Sequence, residues 1–287
     1  MPAGLCFALL WASASVATKS GVGSVHPLIL ANVRFLLAGG GMLLYVHGLR
    51  TGNRLPRGRE WGQLTLFALL NTTLYLGAFV LALRQVSAGI GSLSTATNPL
   101  FITLLSAVWL ERPLRPLEGV GIALGLAGVA LATYPLLQTA HATVEGLLIL
   151  LLGMLSVSAA TVYYARVPWQ LPGLVINGWQ VLLGGLLLLP ATLLTADFGT
   201  AQYDARFWAS VCWLTVPVSV VALQLWFYLV RQDAVRASLW LFLCPIFGFL
   251  YARLLLDEPI TYYTVAGTAL VIGGLYLAQC EKLKVSG

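Results

Sequence analysis

Leu93–Ala132 reads LSTATNPLFITLLSAVWLERPLRPLEGVGIALGLAGVALA, and 146 residues later the same frame returns in Leu239–Ala278, LWLFLCPIFGFLYARLLLDEPITYYTVAGTALVIGGLYLA. Pro99 meets Pro245, Phe101 meets Phe247, Leu110 meets Leu256, Pro113 meets Pro259, Gly121 meets Gly267 and Gly128 meets Gly274. Outward from this frame the repeat continues more faintly. Pro27-Leu28-Ile29-Leu30-Ala31-Asn32 matches Pro172-Gly173-Leu174-Val175-Ile176-Asn177, and Gly39-Gly40 matches Gly184-Gly185. Each unit holds five apolar segments, an odd number, so the second copy must lie upside down in a bilayer relative to the first. Inverted repeats of this kind let a central site open to either side.

Composition requires the bilayer. The chain has 287 residues, 59% hydrophobic and 9% charged, with mean hydropathy +0.87. A soluble domain carries about 25% charged residues. A membrane helix needs about 20 apolar residues, so ten of them use roughly 200. The segments are too long for barrel strands of about 10 residues. The expectation is an all-α membrane protein with ten transmembrane helices as two inverted five-helix repeats. The spans fall at 3–20, 27–47, 60–83, 87–110, 116–134, 145–165, 172–195, 207–230, 234–256 and 259–280. Residues 1–134 form the first repeat, 135–144 the linker, and 145–287 the second repeat with a short tail. No cleavable signal is expected, since no basic flank precedes the first segment. The four cysteines show no metal or disulfide pattern and read as small apolar fillers.

The net charge of +6 reads as orientation in a membrane, with no nucleic-acid partner. Loops facing the N-terminal side hold Arg50, Arg54, Arg57, Arg59, Arg112, Arg115, Arg166, Arg231 and Arg236, and the tail adds Lys282 and Lys284. The opposite side holds Lys19, Arg84, Arg206 and Arg253. Both termini are therefore expected in the cytoplasm.

Trp11-Ala12-Ser13-Ala14 followed by Lys19, Arg34-Phe35 in the second span, and Pro99 with Glu111 twelve residues on resemble the EamA-type pattern of the drug/metabolite transporter superfamily. The Pro245–Glu258 segment is similar to its second copy. The resemblance covers nearly the whole chain. It implies ten helices in two inverted units, a bacterial inner membrane, and export of small metabolites, with most likeness to exporters of amino acids, aromatic ones included. One departure stands out: Trp179-Gln180 occupies the place of Arg34-Phe35 in the second unit, so the charge is not duplicated. Multidrug export and export of sugar nucleotides or phosphates are the alternatives. A membrane enzyme fits less well, because the three histidines show no ligand spacing and there is no Gly-rich phosphate loop.

Arg34 lies about seven residues into its span, roughly 10 Å deep. It reads either as a counter-charge for a substrate carboxylate or as a structural arginine on backbone carbonyls. Lys19, near a span end, is expected to snorkel to the interface. No Asp or Glu falls well inside a span, which argues against a carboxylate proton relay. The expected substrate lining combines aromatic faces with neutral hydrogen-bonding groups. Its members are Trp11, Ser15, Arg34, Asn71, Tyr75, Thr95, Asn98, Trp179, Gln224, Tyr228 and Trp240. Pro99 and Pro245 are the expected hinges, each freeing a carbonyl for a cavity. Gly121, Gly125, Gly128, Gly267 and Gly274 read as packing faces that leave the fifth and tenth spans at the periphery. A small molecule and the lipid bilayer are the expected partners. No cofactor or metal is expected, and the chain reads as a monomer or weak dimer.

Overall fold

A computed structural model describes residues 2–49, 53–109, 116–138, 142–232 and 240–285, with the backbone alone at 106–107, 118, 136–138, 231–232, 242, 275 and 278–285. Helices α1 (Pro2–Gly21), α2 (Pro27–Leu49), α3 (Arg59–Gln85), α7 (Val144–Arg166), α8 (Gly173–Thr195) and α9 (Ala205–Val230) are each long and apolar enough to cross a bilayer. Between them lie α4 (Ala88–Thr95), α5 (Asn98–Trp109) and α6 (Pro116–Gln138), and after them α10 (Leu243–Leu256) and α11 (Tyr262–Val285). No strand occurs among the described residues.

Local chemistry sets the boundaries. Ser87 Oγ accepts from the Ile90 amide at the start of α4, Thr143 Oγ1 from Gly146 at the start of α7, and Asp204 Oδ1 from Phe207 at the start of α9. Each hydroxyl or carboxylate satisfies an amide that the first turn leaves free. The helix ladder widens to i→i+5 bonding at Leu44–Leu49 in α2, Leu69–Leu74 in α3 and Leu214–Ala222 in α9. Pro217 sits inside the last of these and Pro190 inside α8. The expected span 87–110 is two helices separated by a turn at Ala96–Thr97. The expected boundary at 134 lies inside α6, which continues through Pro135 to Gln138.

Helix α1 packs on α9 and α10, α2 on α8, α3 on α7, α4 on α10, α5 on α7, and α6 on α11. Glycines make the closest approaches. A Cβ on Gly267 would lie 2.4 Å from the Gly128 carbonyl oxygen, and one on Gly274 would lie 2.6 Å from that of Gly121. The glycine faces of α6 and α11 therefore meet backbone to backbone, the contact that small residues permit in lipid. In the same way a Cβ on Gly39 would fall 2.5 Å from the Leu182 amide nitrogen, where α2 crosses α8. Outward-facing positions carry large apolar side chains, Leu194 at 86% exposure and Leu254 at 68% among them. Such a surface matches hydrocarbon. Cys6 and Cys212 lie on it, so the filler reading holds only for buried Cys244, while the side chain of Cys280 falls outside the described residues.

Candidate functional site

Five helices converge on one small cavity. Helix α1 contributes Trp11, Ala14 and Ser15, α2 contributes Arg34, and α3 contributes Tyr75, Leu76 and Phe79. Ser92 and Thr95 come from α4 and Val218 from α9. None of these residues belongs to α6 or α11. The free space is about 20 Å³, room for one water molecule and far too little for a metabolite.

Arg34 is 2% exposed. Its Nε donates to Ser219 Oγ at 2.9 Å, and Cζ lies 5.5 Å from the centroid of the Phe35 ring. Among the described residues the single ion pair is Arg54 with Glu60 at 2.6 Å, in and beside the α2–α3 loop. Arg34 thus faces the cavity without a carboxylate partner among the described residues. A buried cation in that state is costly, and within a membrane span it makes Arg34 a candidate site residue.

Beside the cavity runs a polar network across the helix interfaces. Thr72 Oγ1 donates to Gln180 Oε1 at 2.6 Å and Asn71 Nδ2 donates to the same oxygen at 3.2 Å. Gln180 Nε2 donates to Asn177 Oδ1 at 3.0 Å, and Asn177 Nδ2 donates to the Ser219 carbonyl at 2.9 Å. The widened segments of α3 and α9 supply both ends of this chain. Such segments are frequent at functional sites because they turn polar groups inward. Asn32 Nδ2 bonds Thr192 across α2 and α8 in the same way.

The cavity unites Trp11, Ser15, Arg34, Tyr75 and Thr95 from the expected lining. The other members lie elsewhere. Asn71 is held in the network. Asn98 is buried at the start of α5 with Oδ1 unpaired. Trp179 stacks edge-on against Trp61, ring centroids 4.7 Å apart, with His47 beyond it. Gln224 is half-buried with Nε2 unpaired. Tyr228 is 55% exposed, and Trp240 covers Gly4 of α1. Sequence reasoning passed over Ser92, Leu76, Phe79 and Val218. Ser92 stands three residues before Thr95 and Phe79 four after Tyr75, each on a shared helix face, which is the signal that would have found those two.

Two readings change. Pro99 stands in the first turn of α5 and Pro245 in that of α10, where a missing N–H breaks no hydrogen bond. The hydroxyls of Ser94, Thr95 and Thr97 donate to the carbonyls of Gly91, Ser92 and Ser94 around the turn that precedes Pro99. Lys19 does not reach for the interface. Its Nζ donates to the Leu83 and Val86 carbonyls at 2.7 and 2.6 Å, at the end of α3. Glu258 accepts from the Ala88 and Gly89 amides at 2.7 and 3.1 Å, at the start of α4. A cation on a helix C-terminus and an anion on the next N-terminus clamp the α3–α4 joint. Glu111, Arg112 and Pro113, singled out in the sequence, lie outside the described residues.

Six helices long and apolar enough to cross a bilayer, with apolar outward flanks around a small buried cavity, define a multi-pass membrane protein. The profile of the EamA-like transporter family, within the drug/metabolite transporter superfamily, matches residues 1–134 and again 144–279, and the chain belongs to this family of membrane transporters. It is similar to uncharacterized inner membrane transporter YedA of Escherichia coli K12, 30% identical over 97% of this chain and 90% of that one. Uncharacterized transporter sll0355 of Synechocystis sp. is 29% identical over 96% of this chain and 88% of its own. Uncharacterized transporter YvbV of Bacillus subtilis is 27% identical, with 95% and 89% covered. A crystal structure at 22% sequence identity shares the fold, with a TM-score of 0.69 over 97% of this chain and 96% of its own. Relatives and family alike are named as transporters, and the protein is not an enzyme.

Proposed function

We propose that the protein exports small carboxylate-bearing metabolites, amino acids and aromatic ones among them, across a bacterial inner membrane. Arg34 carries the reading: a buried guanidinium on the cavity with no carboxylate of its own among the described residues. Trp11, Tyr75 and Phe79 offer aromatic faces beside it. A phosphate or sugar-nucleotide substrate would want several cations, and Arg34 is the one cation lining the cavity.

The helix pairings support two inverted five-helix repeats. Under the repeat offset α1 corresponds to α7, α2 to α8, α3 to α9, the α4–α5 pair to α10, and α6 to α11. The α1–α9 contact then maps onto α7–α3, α1–α10 onto α7–α5, and the α2–α8 and α6–α11 contacts map onto themselves. Transport proceeds by alternating access as the two halves rock about the cavity. No Asp or Glu lines the cavity, so movement runs down the substrate gradient without a carboxylate relay. Counterflow of labelled amino acids in proteoliposomes tests the reading. Exchange by the native protein and its loss in Arg34→Gln is the expected result. Absence of counterflow for the whole panel, or native rates in Arg34→Gln, sinks it.

A further inference from the structure

Three hydroxyls on the cavity share one state. Ser15 Oγ donates to the Ala12 carbonyl at 3.0 Å, Thr95 Oγ1 to the Ser92 carbonyl at 2.7 Å, and Ser92 Oγ to the Cys244 carbonyl at 2.6 Å. Each has spent its one proton on a backbone oxygen. A hydroxyl so committed still has lone pairs and can only accept from a further donor. All three are buried. They are also neighbours: a Cβ on Gly91, the residue before Ser92, would touch Ser15 Cβ at 3.6 Å, and Thr95 follows Ser92 by one helical turn. Arg34 supplies the opposite polarity from α2.

We propose that Ser15, Ser92 and Thr95 form an ammonium-binding subsite, so that the cavity recognises a zwitterion by both charges. An alkylammonium carries three N–H donors and finds three oxygens that cannot compete as donors. Neutral oxygens suit a substrate that must also leave, because a carboxylate here would pair with Arg34 and close the site on itself. The α-ammonium of an amino acid sits one carbon from its carboxylate, so both charges enter one narrow space. This subsite rests on the assignment of Arg34 to the substrate carboxylate.

The test separates the two charges with three probes: L-phenylalanine, 3-phenylpropanoate, which lacks the ammonium, and phenethylamine, which lacks the carboxylate. Each competes for binding to the purified full-length protein in detergent or nanodiscs. The native protein should prefer phenylalanine to 3-phenylpropanoate by about tenfold or more, one to two charge-assisted hydrogen bonds. The Ser15→Ala, Thr95→Ala double variant should bring that ratio near one, while Thr95→Ser, which keeps the hydroxyl, should preserve it. If the double variant unfolds, the single variants Ser15→Ala and Thr95→Ala should each lower the ratio severalfold. A native protein that binds 3-phenylpropanoate as tightly as phenylalanine overturns the subsite, and so does an unchanged ratio in the folded variants. Arg34→Gln reports on the parent reading separately. It should weaken both carboxylates and spare phenethylamine, and unchanged binding of both carboxylates there removes the carboxylate assignment, whatever the hydroxyls do.

Discussion

At the scale of the residue, Arg34 has two tasks that mutation can separate. Its charge awaits a partner, and its Nε bond to Ser219 fixes where that charge points. Lysine keeps the charge but lacks the planar fork that engages a carboxylate and a hydroxyl together. Arg34→Lys should therefore retain counterflow with an apparent KM raised about tenfold, a loss of roughly 1.4 kcal/mol. Ser219→Ala should show a smaller rise of the same kind with normal expression. Equal losses in Arg34→Lys and Arg34→Gln would show that orientation matters more than charge. The burial of Arg34 was legible in the sequence because it is a single charge set inside an apolar segment. Tyr228 and Gln224 were not. They were placed by a 3.6-residue period alone, and they follow an i→i+5 stretch at Leu214–Ala222 in which that period does not hold. Pro217 inside it is the one residue that hints at the departure.

At the scale of the element, the α3–α4 joint is held by charges from two distant parts of the chain. Lys19 comes from α1 and Glu258 from the α10–α11 loop. Hydrogen bonds to charged groups contribute about 1.5–3 kcal/mol each. Glu258→Ala should lower thermal stability in detergent by several degrees, and Glu258→Gln, which retains an acceptor, by less. A Lys19→Ala, Glu258→Ala double variant no less stable than the native protein would remove the clamp from the account. The α6–α11 seam makes a sharper prediction. Gly267→Leu drives a side chain into the Gly128 carbonyl, and the protein should fail to reach the membrane in folded, monodisperse form. Spacing revealed the glycine faces because small residues recurred in register on both copies. It did not reveal the clamp, since the atoms that Lys19 and Glu258 bind are backbone groups of helix ends, and a sequence does not print where those ends stop.

At the scale of the whole molecule, the sorting of arginines and lysines predicts orientation. The loop at Leu55 lies at one end of α2, and the loop before α9 lies at the other, where the Gln202 amide bonds the Ser24 carbonyl. In a cysteine-free background Thr200→Cys should label from outside intact cells and Leu55→Cys should not. The reverse pattern would invert the topology. Uptake into proteoliposomes should follow the substrate gradient with or without an imposed pH gradient. Accumulation abolished by a protonophore would turn attention to Glu111 and Glu258.

Arg34 reaches from α2 to α9, and Gln180 reaches from α8 to α3, so each half grips the other through a different side chain. Two copies of residues 1–138 paired in the same way would set two like-charged guanidinium groups, and no Gln180, in one core. The present polypeptide should tolerate being cut between α6 and α7 and expressed as two fragments, whereas the first fragment alone should form no stable self-paired assembly.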